Sequence, residues 1–392
     1  MDKTTDYWFA FEPYVYVTQR NQVALVYNTL DGKSLRVDDK DVLALLAAIT
    51  DKKNNGVILI SRQDLQSPAI DSFLEEVREG FFGDLYECSL SDKKPIQLYP
   101  MLNLQEEVGR LQQFDAGFVG NNLFSYLYKV TIEVGTSDDD EQLCSLMDEV
   151  WKQMEYSDVK EVVVELCNER QYEVLQAWVS TNEELSQRIR WKIELNGITI
   201  EMIRAALSRS WQMILVVLDV VTLREKIEEV MRDASESVYW LFKIQTAEEW
   251  GVVSDILDTY AVRKFKIEPV CTESNCSFLE ENVFLTVEDI LAEAIPMQSL
   301  LRNQILNVND FGKLHVRENG DVYANRHLRK LGNIKTDDVR MLVHKEMTEG
   351  QSWLRIRDQK PCCDCIYQWL CPSPSDYELI LAKPDLCYVN GK

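Results

Sequence analysis

Alternating apolar and polar positions at the start of the chain predict a small α+β unit. Tyr14 to Thr18 and Val23 to Tyr27 form the two strands of a predicted hairpin around a polar turn, and Ser34 to Val37 predicts a third strand. Two helical patterns follow, the second of which begins at Pro68. Its inward-facing residues are Ile70, Phe73, Leu74 and Val77. Strands followed by helices indicate a winged-helix-like domain at residues 1–92.

From residue 126 onward the pattern becomes regular, because apolar runs of strand length alternate with helical patterns. The runs are Tyr128–Val134, Glu161–Leu166, Ile189–Leu195, Met213–Asp219, Tyr239–Ile244 and Arg263–Val270. This alternation predicts an α/β fold with parallel crossover units, whose sheet can curl into a partial (β/α)6 barrel. Six units are fewer than the eight that close a TIM barrel. We place this barrel at 126–305, after a linker at 93–125.

Charge and hydropathy restrict the class of partner. The 392 residues carry a formal net charge of −23, which argues against nucleic acid or an anionic membrane as a partner. No apolar run reaches the 18 or more residues of a membrane span, and the longest, Met213 to Val221, contains Asp219. The first residues show no secretory pattern. We therefore expect a cytoplasmic protein.

The cysteines are concentrated in the last predicted domain, residues 306–392, which opens with a hairpin across Asn319-Gly320. Half of the ten cysteines lie near its end, and they are Cys362, Cys363, Cys365, Cys371 and Cys387. Thiols stay reduced in the cytosol, so clustered cysteines there indicate a metal more often than a disulfide. Four of these thiolates, from Cys362, Cys365, Cys371 and Cys387, can converge on one metal centre.

Together, the front domain, the six-unit core and the C-terminal Cys-x2-Cys-x5-Cys motif resemble radical-SAM peptide maturases with a SPASM-type C-terminal domain. The front domain is similar to the PqqD-like recognition element of such maturases. The resemblance is closest from Phe311 through Gly320–Tyr323 and Leu331–Ile334 to Cys387. It implies that the leader of a precursor peptide adds to the edge of the third strand, between that strand and a helix. The peptide-binding residues would be Ser34, Leu35, Arg36, Val37, Phe73, Val77 and Phe81, although the apolar ones could instead close the small core.

Two departures from the active family concern the SAM site. Active members carry Cys-x3-Cys-x2-Cys after the first barrel strand, whereas residues 135–144 offer one cysteine, Cys144, and a run of carboxylates. Carboxylates are poor ligands for an iron–sulfur cluster. After the second strand, Cys167-Asn168-Glu169 replaces the Gly-Gly-Glu of the family. The chain is therefore identified as similar to pseudo-radical-SAM/SPASM proteins, and we expect neither SAM binding nor radical-SAM catalysis.

For the four cysteines the resemblance implies the second auxiliary [4Fe–4S] cluster of SPASM domains, with zinc or no metal as alternatives. The first auxiliary cluster is expected to be absent, because its positions carry Phe311, Asn325 and Ser375. The implied function is a non-catalytic accessory of ribosomal peptide maturation that binds the precursor leader, an active radical-SAM maturase, or both. The alternative is a SAM-independent enzyme or electron carrier, in which the polar run at 137–141 would bind another cofactor or simply begin a helix.

Overall fold

The computed structural model describes residues 4–90, 93–97, 126–136, 139–154, 157, 159–181, 187–234, 237–272, 274–349 and 351–389. Most of the predicted linker, residues 98–125, lies outside these ranges, as do residues 137 and 138 of the carboxylate run.

The front unit, residues 4–90, is built from two small antiparallel sheets and the helices beside them. Its elements are β1 (Tyr7–Phe11), β2 (Val15–Arg20), β3 (Val23–Asn28), β4 (Ser34–Val37), α1 (Lys40–Thr50), β5 (Val57–Ile60), α2 (Pro68–Glu79) and β6 (Gly83–Glu87). The strand orders are β5-β1-β6 and β2-β3-β4. The carboxylate of Asp39 accepts hydrogen bonds from the backbone of Asp41 and Val42, which fixes the start of α1. The predicted hairpin, third strand and both helices are therefore present.

A nine-stranded sheet follows, with strand order β12-β11-β10-β9-β8-β7-β13-β14-β15. Its strands are β7 (Lys129–Glu133), β8 (Glu161–Leu166), β9 (Ile189–Glu194), β10 (Gln212–Val217), β11 (Val238–Ile244), β12 (Phe265–Pro269), β13 (Lys313–Val316), β14 (Asp321–Tyr323) and β15 (Gly332–Asn333). Strands β7 to β12 are parallel, and β13 continues the sheet in parallel beside β7. The prediction of an α/β protein with a small N-terminal unit and a parallel sheet is confirmed.

Helices follow the parallel strands and pack on one face of the sheet. They are α3 (Asp140–Met154), α4 (Glu169–Ser180), α5 (Ile200–Ser208), α6 (Arg224–Ala234) and α7 (Ala247–Thr259). Every second strand residue, such as Val162, Val164 and Trp191, joins the helices in one core. The alternate residues on the other face of the strands include Glu133, Glu165 and Lys192. We call that other face the charged face.

The C-terminal region contains short helices and irregular segments beyond the parallel units. Its helices are α8 (Cys276–Val283), α9 (Val287–Ile290), α10 (Met297–Ile305), α11 (Val339–Glu349) and α12 (Asp376–Ile380). None of the helices in the described ranges is both long and apolar enough to cross a membrane.

One apolar cluster joins the front unit to the C-terminal cysteines. The face of β2 and β3 that carries Tyr16, Leu25 and Tyr27 packs against Trp369 and Leu370. The opposite face of the same sheet belongs to the front core with α1 and α2. The small sheet is therefore covered on both faces. The front core packs on one face, and the segment between Cys362 and Cys371, which we call the cysteine loop, packs on the other.

Candidate metal centre and peptide-binding edge

The cysteine loop is held in compact turns by its own backbone. The amide of Cys365 donates to the carbonyl of Cys362 at 3.0 Å, and the amide of Cys371 donates to the carbonyl of Tyr367 at 2.9 Å. The side chain of Gln368 donates to the carbonyl of Arg357 at 2.6 Å and ties the loop to the preceding segment. Cys362, Cys365 and Cys371 are all buried in this compact loop.

Cys387 reaches the same place through a short backbone bridge. It forms an isolated parallel bridge with Leu285, just after α8. The amide of Leu285 donates to the carbonyl of Leu386 at 2.9 Å, and the amide of Tyr388 donates back to the carbonyl of Leu285 at 3.0 Å. The final segment is thereby fixed beside the cysteine loop.

All four predicted ligands, Cys362, Cys365, Cys371 and Cys387, line one small cavity of about 20 Å³. Among the described residues, no three His, Cys, Asp or Glu side chains are gathered closely enough to hold a metal ion as they stand. The four thiols therefore line the same cavity, but their sulfur atoms are farther apart than the ligands of a bound metal. Four thiols suit a soft metal, so the donor set fits both tetrahedral zinc and a [4Fe–4S] cluster.

The electrostatics of the cavity oppose thiolate formation in the metal-free state. Burial raises the pKa of Cys371 to about 12; the guanidinium of Arg357 opposes this rise and the three other thiols add to it. Burial also raises the pKa of Cys362, again with Arg357 acting in the opposite direction. A metal bound here would have to displace these protons, since metals bind thiolates.

Cys363, the extra cysteine of the loop, does not belong to the cavity lining. Its carbonyl accepts a hydrogen bond from the side chain of Arg20 in the front unit, at 3.3 Å. The spacing of the four predicted ligands does not include Cys363. In the structure, its backbone contacts the front unit.

Polar groups stand at two of the three positions where the first auxiliary cluster would need cysteines. The amide nitrogen of Asn325 donates to both carboxylate oxygens of Asp310, at 3.2 Å each, and to Asp376 at 2.6 Å. Ser375 is the N-cap of α12, and Phe311 packs its ring against Trp353 at 5.4 Å between centroids. Each of the three residues thus has a structural partner of its own.

The charged face carries an ionic network that the sequence did not reveal. Arg326 lies 2.7 Å from carboxylate oxygens of both Glu133 and Glu165, and Lys192 lies 2.8 Å from Glu165. Burial acts to raise the pKa of Glu165, but the charges of Lys192 and Arg326 lower it to about 2. Glu133 is the last residue of β7 and Glu165 is the last but one of β8, so this network lies at the carboxyl edge of the first two parallel strands.

His315 extends the same network on the neighbouring strand. Its Nδ1 accepts a hydrogen bond from Nε of Arg326 at 3.1 Å. Burial lowers the pKa of His315 to about 3, with the guanidinium of Arg326 acting in the same direction. The imidazole is therefore neutral at physiological pH. The network spans residues far apart in sequence, and no motif marks it.

The loop after β7 has local structural roles. Gly135 has a φ of +69°, a left-handed backbone conformation that favours glycine. Asp139 accepts hydrogen bonds from the amides of Glu141 and Gln142, at 3.0 and 3.1 Å, so this carboxylate caps the start of α3. Cys144 lies on α3, and burial raises the pKa of its thiol.

Strand β4 is an outer strand of its sheet in the described residues, with β3 on one side. Leu35 and Val37 pack on the front core, whereas Ser34 and Arg36 are opposite Tyr27 and Leu25 and share their face. Arg36 is exposed and lies close enough to Tyr367 of the cysteine loop to influence its pKa. The predicted peptide-binding strand therefore has one face toward the front core and the other toward the cysteine loop.

The predicted helix residues of the peptide site divide into two groups. Phe73 and Val77 are 5% and 0% exposed and lie in the front core. Phe81 is 69% exposed, with the ammonium of Lys33 5.9 Å from its ring centroid. Lys33 directly precedes β4, so Phe81 lies near the beginning of that strand.

The chain was compared with family models, curated proteins and solved structures. No protein-family model and no curated protein matches the chain. Among solved structures, the crystal structure of Streptococcus suis SuiB bound to precursor peptide SuiA is similar to this chain. The TM-score is 0.45 and the sequence identity is 11%, over 98% of this chain and 99% of the SuiB chain.

Proposed function

We propose that this chain is a non-catalytic accessory protein of a ribosomal peptide maturation system, which binds the precursor leader or an active radical-SAM maturase. The observation that carries the proposal is the network of Arg326, Glu133 and Glu165 at the carboxyl edge of the first two parallel strands. Ligands of parallel α/β proteins bind at the carboxyl edge of the strands. In the radical-SAM family that the sequence resembles, this edge would hold an iron–sulfur cluster and SAM, whereas in this chain it carries ion pairs between the chain's own side chains.

Leader binding is proposed at the outer edge of β4. An outer strand has backbone N–H and C=O groups that can accept an extended peptide as a further strand. The buried positions of Phe73 and Val77 favour recognition through the strand edge and exposed groups near it, such as Arg36 and Phe81. Backbone pairing supplies affinity, and these exposed side chains would select among leaders.

The four cysteines are proposed to hold one [4Fe–4S] cluster, with zinc as the alternative. A cluster would supply redox chemistry or cross-linking of the loop, and zinc only the latter. The thiols lie beneath the small sheet, on the side away from the helices of the front unit. This arrangement supports a structural role, in which the metal fixes the support of the peptide-binding strand.

Isothermal titration calorimetry tests the binding function. The full chain is titrated with synthetic leader peptides from candidate precursors encoded beside its gene and, separately, with the maturase encoded there. We expect binding of a leader to weaken at least tenfold in Arg36→Glu. The control Lys53→Glu has the same charge change on an exposed turn between α1 and β5 and should bind like the wild type. Absence of measurable affinity for every peptide and for the maturase would contradict the proposed function.

A further inference from the structure

A buried cation forms part of the wall of the cysteine cavity. Arg357 lines the cavity together with the four thiols, and its side chain is 8% exposed. One terminal nitrogen lies 4.0 Å from Sγ of Cys362, and the other donates to Oε1 of Glu378 at 3.0 Å. Nε donates to the carbonyl of Pro372 at 2.5 Å. The guanidinium is thus fixed in three directions, and one of them is toward the thiols.

This arrangement has an electrostatic consequence when the cavity contains a metal. Four thiolates around a divalent ion, or around an oxidised [4Fe–4S] core, leave a net charge of about −2. An uncompensated buried charge is strongly unfavourable, and a nearby opposite charge reduces that cost. Arg357 is the cation that the structure places at this wall. With neutral thiols, the same guanidinium is balanced by the carboxylate of Glu378.

We infer that Arg357 is a charge-compensating positioning residue of the thiolate metal centre, and that Glu378 anchors it in place. This inference rests on the metal site of the proposed function. The competing explanation is that Arg357 and Glu378 only join the segment before the cysteine loop to α12. The two explanations differ in what they predict for metal affinity when folding is kept intact.

The molecule contains a matched control in Arg355, two residues earlier. Its side chain is 16% exposed, lies 3.6 Å from the carboxylate of Asp310 and donates to the carbonyls of Pro374 and Ser375. Like Arg357, it is a mostly buried arginine that ties this region to the segment before α12. Unlike Arg357, it does not line the cysteine cavity.

The experiment uses the full chain, purified anaerobically without metal and titrated with zinc against a chromophoric chelator. Thermal melts monitor folding of every variant in the metal-free state. We expect Arg357→Met to weaken zinc binding 10- to 100-fold, the usual effect of losing a group that supports metal ligands. Arg357→Lys should recover much of this loss, because it keeps the positive charge. Glu378→Gln should bind zinc at least as tightly as the wild type, because the glutamine side chain can still accept the hydrogen bond of Arg357 while the competing negative charge is removed. Arg355→Met should remain within about twofold of the wild type.

Each outcome decides a separate claim. Wild-type affinity in Arg357→Met, or an equal loss in Arg355→Met, would overturn the inference and leave the metal site standing. Weaker zinc binding in Glu378→Gln than in Arg357→Met would show that the Arg357–Glu378 pair only holds the fold together. That result would also overturn the inference. A wild-type chain that takes up neither zinc nor, after reconstitution, iron and sulfide would contradict the metal site itself and the inference with it.

Discussion

The side chain of Arg20 in the front unit donates from Nε to the carbonyl oxygen of Cys363 at 3.3 Å. The neighbouring Asn21 donates to the carbonyl of Asp364 at 3.4 Å, so the β2–β3 turn is tied to the cysteine loop at two points. Together with the apolar contacts of Tyr16 and Leu25, these bonds hold the sheet of the proposed peptide site against the proposed metal-binding segment. Ordering of that segment should therefore be transmitted to the sheet.

Metal loading is expected to slow amide hydrogen exchange in β2, β3 and β4. Because local opening of this sheet requires separation from the cysteine loop, we expect about tenfold slower exchange, equal to about 1.4 kcal/mol of opening free energy. Mass spectrometry on loaded and metal-free protein measures the change. The sheet β5-β1-β6 of the same unit is the internal control and should exchange equally in both states. A change that is equal in the two sheets, or absent from β2–β4, would exclude this coupling.

Replacing Arg326 should destabilise the fold through the carboxylates that it leaves unpaired. Glu133 and Glu165 have side chains 26% and 21% exposed, so Arg326→Met should cost about 2 kcal/mol, somewhat less than the loss of one partner of a fully buried pair. Urea denaturation provides the measurement. Arg329→Met is the control, because Arg329 pairs with Glu349 at the surface and should contribute less than about 1 kcal/mol. Equal losses in the two variants would show that the network contributes nothing beyond a surface ion pair.

His315 should make part of the stability dependent on pH. Its pKa in the folded protein is about 3, below the value near 6.5 of an unfolded chain. The unfolded state therefore binds a proton first, and the contribution of His315 is complete above pH 6.5 and lost as the pH falls toward 3. Between pH 6.5 and 5.5 the wild type should lose about 1 kcal/mol more unfolding free energy than His315→Gln. Parallel pH profiles for the two proteins would show that His315 titrates normally.

Loss of one predicted ligand should empty the metal site. Anaerobic purification of the wild type, followed by iron, sulfide and zinc analysis, should give about four irons and four sulfides per chain. Cys371→Ala should lose them, and Cys363→Ala should retain them because Cys363 lies outside the cavity lining. About one zinc per chain would select the alternative metal. Equal metal content in the two variants would contradict the ligand assignment.

The strands that could be predicted from the sequence are those with a regular apolar pattern. Strands β4 and β8 have the predicted bounds, and the remaining parallel strands differ by only one or two residues at their ends. Strands β1 and β6 were missed. β1 is a continuous apolar run between two neighbouring strands, and β6 is short, with Gly83 and Asp84 at its start. Neither has the alternation that marks a half-buried strand.

In the candidate site, contacts within one loop could be predicted from the sequence, whereas contacts between distant segments could not. The spacing of Cys362, Cys365 and Cys371 predicts a shared cavity, because these residues lie in one loop. The role of Arg326 could not be derived in this way, since its partner Glu165 is 161 positions away and neither residue belongs to a motif. The sequence left open whether Phe73 and Val77 line a peptide groove or close the small core. Both arrangements give a helix the same pattern of apolar residues.

The assay for SAM cleavage tests the central claim most directly. The full chain is reconstituted anaerobically with iron and sulfide, and then incubated with SAM and a strong reductant, with and without the candidate precursor peptides. Chromatography quantifies 5′-deoxyadenosine against a protein-free control. If the chain is the non-catalytic protein proposed above, it should give no deoxyadenosine above the control. Repeated turnover that requires the folded chain would show that it is an active radical-SAM enzyme and would contradict the account.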